Sequence, residues 1–241
     1  MAFGDFTLQR DINFDVARGA IFFIMGDSGC GKSTLLRHML GLIRPAAGRI
    51  LYDGEPFDMD DPVTMNRHLK RVGMLYQGSA LFTSMTLCEN VEMVLEQNTQ
   101  MGPRERRQLA EYRLALVGLA GFEDYAPSEI SGGMRKRAGL ARAIALDPEL
   151  LFFDEPSAGL DPLSARQLDE LIVELRDTLG ATVVIVSHEL ASIFAIGDDS
   201  IFLDATSRQM IARGAPQHLR DHAEHEKVRR FLLRGEPAPA A

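Results

Sequence analysis

Eight residues, Gly26-Asp27-Ser28-Gly29-Cys30-Gly31-Lys32-Ser33, do most to limit what this chain can fold into. They follow an apolar run, Ala20–Met25, and open a helical pattern, Ser33–Gly41, that ends on glycine. A run of this length reads as a buried strand. A strand feeding a glycine turn and then a helix is the unit of a parallel sheet covered by helices. The spacing G-x-x-x-x-G-K-S also gives the turn a chemical use. Glycines let backbone N–H groups turn inward on phosphate oxygens, and the helix N-terminus adds partial positive charge. Lys32 is then placed to bridge β- and γ-phosphates, and the Ser33 hydroxyl to ligate Mg²⁺.

The rest of the chain alternates in the same way. Arg49–Tyr52, Arg71–Tyr76, Leu150–Phe153, Thr182–Ser187 and Ser200–Leu203 read as strands. Arg104–Val117, Leu163–Leu179, Glu189–Ile196, Pro216–His222 and Glu226–Leu233 read as helices, with Pro103 at the first turn of one. From Met85 to Leu146 the period is mostly helical, so this block is expected as an insertion into a mainly parallel α/β sheet. With 46% hydrophobic residues, the 241-residue chain can bury a full core. We expect one domain over residues 1–235, a helical subdomain near 85–147, and a disordered tail at 236–241.

A net charge of -8 argues against bulk nucleic-acid binding, which favours a basic footprint. Two cysteines, Cys30 and Cys88, are too few for a disulfide framework and point to a reducing compartment. No apolar stretch approaches the roughly 18–20 residues of a membrane span, and no secretory signal opens the chain. A cytosolic chain is expected, brought to any membrane by another subunit.

Leu150–Phe153 ends on two adjacent acids, Asp154 and Glu155. Alone, such a pair is more often a helix cap or a solvated turn. With a phosphate cradle upstream it acquires a role. Asp154 is then placed to hold Mg²⁺, and Glu155 to orient or deprotonate an attacking water.

With both motifs in hand, Ser131-Gly132-Gly133-Met134 resembles the signature loop of ABC-transporter ATPases. The resemblance implies a P-loop NTPase (RecA-like) core with a small antiparallel β subdomain and an inserted helical subdomain. It implies ATP and Mg²⁺, with nucleotide contacts running through Thr34. In the family the signature loop faces the γ-phosphate on the other subunit, so Ser131, Gly132 and Gly133 would complete a site across a head-to-tail homodimer. Gln77 resembles the Q-loop glutamine that reaches Mg²⁺ and water. Asp161, in Ala158-Gly159-Leu160-Asp161, resembles the D-loop acid. His188 resembles the switch histidine, and Phe3 the aromatic that stacks on adenine. The usual signature is L-S-G-G-Q; here the flanks are Ile130 and Met134. Lys136, Arg137 and Arg142, on the helix expected at Arg135–Leu146, read mostly as solvated charges.

Three stretches, Met74–Val91, Ser131–Pro162 and Ser187–Asp204, look like the ATPase of MCE-type (Mla-like) phospholipid transporters, also named toluene-tolerance or organic-solvent-resistance ATPases. The methionine after Gly-Gly is typical of that group. The order Gly78-Ser79 is reversed relative to it. The implied assembly is two copies of this chain beneath two permease subunits, with an MCE-domain lipid-binding protein on the far side. Its implied place is peripheral, on the cytoplasmic face of a bacterial inner membrane. Met85–Leu95 with the Q-loop is expected to form the permease groove, although Leu87, Val91, Val94 and Leu95 also read as ordinary core. Two rival readings stay open: an importer ATPase for a small polar solute, and a soluble non-transport ABC ATPase such as that of iron–sulfur cluster assembly.

Overall fold

The computed structural model describes residues 1–4 and 6–234. The tail expected at 236–241 lies outside the described residues, as does the side chain of Phe3. The elements run β1 (Ala2–Phe3), β2 (Phe6–Thr7), β3 (Ile21–Gly26), α1 (Lys32–Met39), β4 (Leu51–Tyr52), β5 (Glu55–Pro56), α2 (Pro62–Lys70) and β6 (Val72–Leu75). They continue with α3 (Leu87–Asn98), α4 (Pro103–Leu116), α5 (Gly132–Ala143), β7 (Leu150–Asp154), α6 (Pro162–Leu179) and β8 (Thr182–Val186). The last are α7 (Leu190–Ile196), β9 (Asp199–Asp204), β10 (Gln209–Arg213), α8 (Pro216–His222) and α9 (Glu226–Leu232).

Six strands form the central sheet in the order β10-β9-β3-β8-β7-β6, and two two-stranded pairs, β1-β2 and β4-β5, stand apart from it. Five of the six are parallel neighbours; β10 pairs antiparallel to β9. β3 lies inside the sheet between β8 and β9. That position explains its unbroken apolar run. Side chains alternate faces along a strand, and a central parallel strand is covered on both. Ile21, Phe23 and Met25 join one core cluster, while Phe22 and Ile24 join the other. All five are 0% exposed, each contributing about 1.5–3 kcal/mol by burial. Phe152 of β7 falls with the second cluster, and Leu151 and Phe153 with the first, by the same alternation.

α1 covers the second face through Leu35 and Leu36. α3, α4 and α5 occupy the chain between β6 and β7 and pack on one another. Leu87, Val91 and Leu95 of α3 are fully buried, so they are core, and Val94 is partly buried against it.

The main differences from the expected elements are these. α5 begins at Gly132, not near Arg135, because Ser131 caps it and accepts from Met134 N at 3.2 Å. α2 was not read from the sequence; it starts on an Asp61 cap with Pro62 at its first position. β10 was also missed. Its residues are only partly buried, so the apolar signal of an interior strand is absent. The strand expected at 49–52 shrinks to Leu51–Tyr52.

Candidate functional site

The phosphate turn joins β3 to α1 and needs glycine at two places. At Gly26, φ is +147° and a Cβ would stand 2.3 Å from the Leu203 carbonyl oxygen. At Gly31, the residue before α1, φ is +102° and a Cβ would meet Leu8 Cδ2 at 2.9 Å. Within the turn Lys32 Nζ donates to the carbonyls of Gly26 (2.9 Å) and Asp27 (3.0 Å). Gln9, 0% exposed, braces the turn from below by donating to the carbonyls of Cys30 (2.8 Å) and Asp204 (3.0 Å). Cys30 is a free, buried thiol whose proton is held more tightly than usual because burial disfavours the thiolate.

The two acids sit at the end of β7, beside α1. Ser33 Oγ donates to Asp154 Oδ1 at 2.9 Å. Glu155 adopts φ +50°, a left-handed conformation that costs a non-glycine residue about 1–2 kcal/mol. Its N–H is fixed to the Val186 carbonyl at 2.8 Å. This geometry turns its carboxylate toward His188, whose Nδ1 lies 2.7 Å from Glu155 Oε1. Glu155 Oε2 is buried with no hydrogen-bond partner among the described residues. A buried carboxylate oxygen left open is suited to receive a proton or to orient a water.

Most of these groups line one cavity of 730 Å³; Asp154 and Cys30 do not, Asp154 meeting it only through its bond to Ser33. The cavity is lined by Gly26, Asp27, Ser28, Gly29, Gly31, Lys32, Ser33 and Thr34 from the turn, and by Gln77, Glu155 and His188. Ser131, Gly132, Gly133 and Asp161 do not line it. Ser131 and Gly132 are exposed at the start of α5. Asp161 caps α6, accepting from Leu163 N (3.1 Å), Ser164 N (3.0 Å) and Ser164 Oγ (2.5 Å). The Ser164 hydroxyl is the main reason its carboxyl stays below the usual range.

Leu8, Phe231 and Arg234 line the same cavity and were not anticipated, nor was Lys227. From α9, Lys227 reaches the Asp27 carboxylate of the phosphate turn at 2.5 Å and also pairs with Asp204. No motif signals it; it sits in an ordinary charged helix. Two of the α5 cations read as solvated are not. Lys136 is buried, and its ammonium donates to the carbonyls of Gln77 and Glu155. Arg142 donates to the carbonyls of Ser79 and Ala80.

Among the described residues no three His, Cys, Asp or Glu side chains group as a metal cage. The available donors are a hydroxyl and a carboxylate in contact, with an amide in the same cavity. Such a sparse oxygen set suits Mg²⁺, which keeps waters and takes phosphate oxygens rather than a full protein shell. No helix among the described residues is long and apolar enough to cross a membrane.

A phosphate cradle at the end of a central parallel strand, with a hydroxyl, two acids and a histidine around it, defines a P-loop ATPase cassette. The chain belongs to the ABC transporter family, whose family description matches residues 9–158, and it is an ATP-binding ATPase of that family. It is 42% identical over 229 residues to the intermembrane phospholipid transport system ATP-binding protein MlaF of Escherichia coli strain K12, covering 95% of this chain and 84% of that protein. The fold is similar to cbiO1 from Clostridium perfringens, part of the ABC transporter complex cbiONQ. The TM-score is 0.81 with 28% identity, covering 95% of this chain and 89% of that one. It is likewise similar to the ATP-binding cassette MJ0796, solved as a dimer bound to ADP and Pi. There the TM-score is 0.78 with 28% identity, covering 86% of this chain and 90% of that one.

Proposed function

We propose that this chain hydrolyses ATP to drive phospholipid transport between bacterial membranes, as one of two identical ATPase subunits beneath a permease. One observation carries the catalytic part: Lys32, Ser33, Gln77, Glu155 and His188 converge on one cavity, with Ser33 bonded to Asp154. In this reading the turn from Gly26 to Thr34 holds the nucleotide phosphates, and Lys32 trades its carbonyl partners for phosphate oxygens. Ser33, Asp154 and Gln77 would hold Mg²⁺, which would neutralise charge on the phosphates. Glu155 orients the attacking water and takes its proton at the open Oε2, with His188 fixing the other oxygen. Positioning and charge stabilisation supply most of the acceleration.

Ser131 and Gly132 are exposed in one chain and Gly133 is half-buried behind them, which suits closure over the nucleotide of a second copy. Asp161 lies at the same kind of exposed position and belongs to that interface. The lipid cargo, the permease and an MCE-domain protein on the far side are supported by the 42% identity with a protein named for phospholipid transport. Tyr76 and Phe82, 42% and 47% exposed on either side of the Q-loop, fit the permease-facing surface. That assembly places the chain peripherally on the cytoplasmic face of the inner membrane. The segment near 85–147 is its helical subdomain within a single domain over 1–235.

The test is retention and turnover of Mg-ATP by the purified chain. Lys32→Ala should abolish both, and unchanged retention would remove the phosphate-cradle assignment. Affinity purification from membranes, with identification of bound subunits and lipid, tests the transport half. Recovery with a solute-binding protein in place of an MCE-domain protein would overturn the lipid assignment.

A further inference from the structure

Lys136 is 6% exposed, although it lies only five residues beyond the exposed Ser131. A buried ammonium is costly unless acceptors take its protons. Here the acceptors are the backbone carbonyl of Gln77, just past β6, and that of Glu155 at 3.3 Å, just past β7. β6 and β7 are paired neighbours, and both acceptor residues line the nucleotide cavity. One helix cation thus bridges the two strand ends that carry Gln77 and the catalytic acid.

The same face of α5 grips the Q-loop further on. A Cβ on Gly139 would stand 2.8 Å from Leu75 Cδ1 and 3.2 Å from Ser79 Cβ, so the helix lies close against the loop. Arg142 then donates to the carbonyls of Ser79 (2.8 Å) and Ala80 (2.6 Å). Residues 136, 139 and 142 recur every three positions and share one side of the helix. Their partners are conformationally unusual. Glu155, Ser79 and Ala80 have φ of +50°, +62° and +48°, all without being glycine. Such backbone persists only where surrounding contacts over-determine it. Burial lowers the proton affinity of Lys136, and the carboxylates of Glu155 and Asp154 act against that.

We propose that Lys136 is a positioning residue for ATP hydrolysis: its ammonium pins the carbonyls of Gln77 and Glu155, and so aims the Glu155 carboxylate and the Q-loop at one nucleotide. The inference rests on the function proposed above and deepens it. Because Lys136 stands on the helix opened by Ser131, it also ties the exposed signature turn to the catalytic acid of the same chain.

The experiment is a double-mutant cycle in the full-length chain. Lys136→Met and Lys136→Arg are made in the wild-type and Glu155→Gln backgrounds, with kcat, KM and Mg-ATP affinity measured. Lys136→Met should lower kcat by about tenfold or more while ATP affinity stays within about threefold, since the Lys32 turn is untouched. Lys136→Arg, which keeps a cation, should regain most of the loss. In the Glu155→Gln background Lys136→Met should cause a clearly smaller fractional loss of the residual kcat, because the part that acts through Glu155 is already gone and only the hold on Gln77 remains. A wild-type kcat in Lys136→Met, or the same fractional loss in both backgrounds, would overturn the proposal in favour of core packing. If Lys136→Met does not fold, Lys136→Gln, which keeps a polar donor without the charge, carries the same cycle under the same criteria. Failure of the functional reading looks different: the unmodified chain then holds no Mg-ATP. Normal wild-type turnover with an indifferent Lys136 removes this inference alone.

Discussion

Ser33 Oγ and Asp154 Oδ1 are joined at 2.9 Å across 121 residues of sequence, which locks the first turn of α1 to the end of β7. In the function proposed above, both oxygens would hold Mg²⁺. Asp154→Asn preserves the size of the side chain and an acceptor for Ser33 but removes the charge. We expect it to raise the Mg²⁺ concentration needed for half-maximal ATP turnover by about tenfold or more. Chelation of the metal should stop turnover in both forms. A magnesium titration checks this, and coincident curves would remove Asp154 from the metal site.

Glu155 presents one oxygen to His188 and leaves the other open in a buried place. General bases contribute about 10²–10⁴ in rate. Glu155→Gln should lose turnover on that scale and still bind Mg-ATP. Single-turnover hydrolysis alongside equilibrium nucleotide binding separates the two effects. Hydrolysis at the wild-type rate would show that the base lies elsewhere.

Gly26→Ala should destabilise the chain. The added methyl would lie 2.3 Å from a backbone oxygen of β9, which cannot swing aside as a side-chain end can. Overpacking in a closed site costs typically about 1–3 kcal/mol, and the positive φ adds to it. Chemical denaturation would show the lowered midpoint, together with weaker nucleotide binding. A fully stable variant would mean that β3 and β9 can separate freely at this end.

His68 predicts a pH dependence. It is buried against Tyr52 and Phe57, with ring centroids 4.1 Å and 4.2 Å away. Burial lowers its pKa from 6.5 to about 4. The unfolded chain therefore takes up this proton first as the pH falls. Stability from the neutral ring is fully present above pH 6.5 and is lost between about pH 6.5 and 4, by up to about 3 kcal/mol. His68→Phe should flatten the stability profile over that window. Denaturation midpoints at pH 7 and pH 4.5 test it, and an unchanged difference between them would assign the acid sensitivity to other groups.

What could be read in advance was set by short-range rules. The central strands were legible because strands buried on both faces have no polar interruptions, and the phosphate turn because its chemistry forces a spacing. α6 and α8, expected at Leu163–Leu179 and Pro216–His222 from their helical period, lie within a residue of their observed limits. Other features depend on partners distant in sequence. Nothing in Gln209–Arg213 announces a strand until β9 lies beside it. Lys136 looks like any helix cation until β6 and β7 bring two carbonyls to it. Lys227 is an ordinary lysine until α9 folds back on Asp27. The α5 start was misplaced because paired glycines suggest a loop, whereas the Ser131 cap carries the helix through them.

The lysine of the phosphate turn is already engaged, holding two carbonyls of its own loop. In the proposed function, phosphate oxygens would compete with these two carbonyls for a single ammonium, so the backbone of the turn is itself a rival of the nucleotide for Lys32.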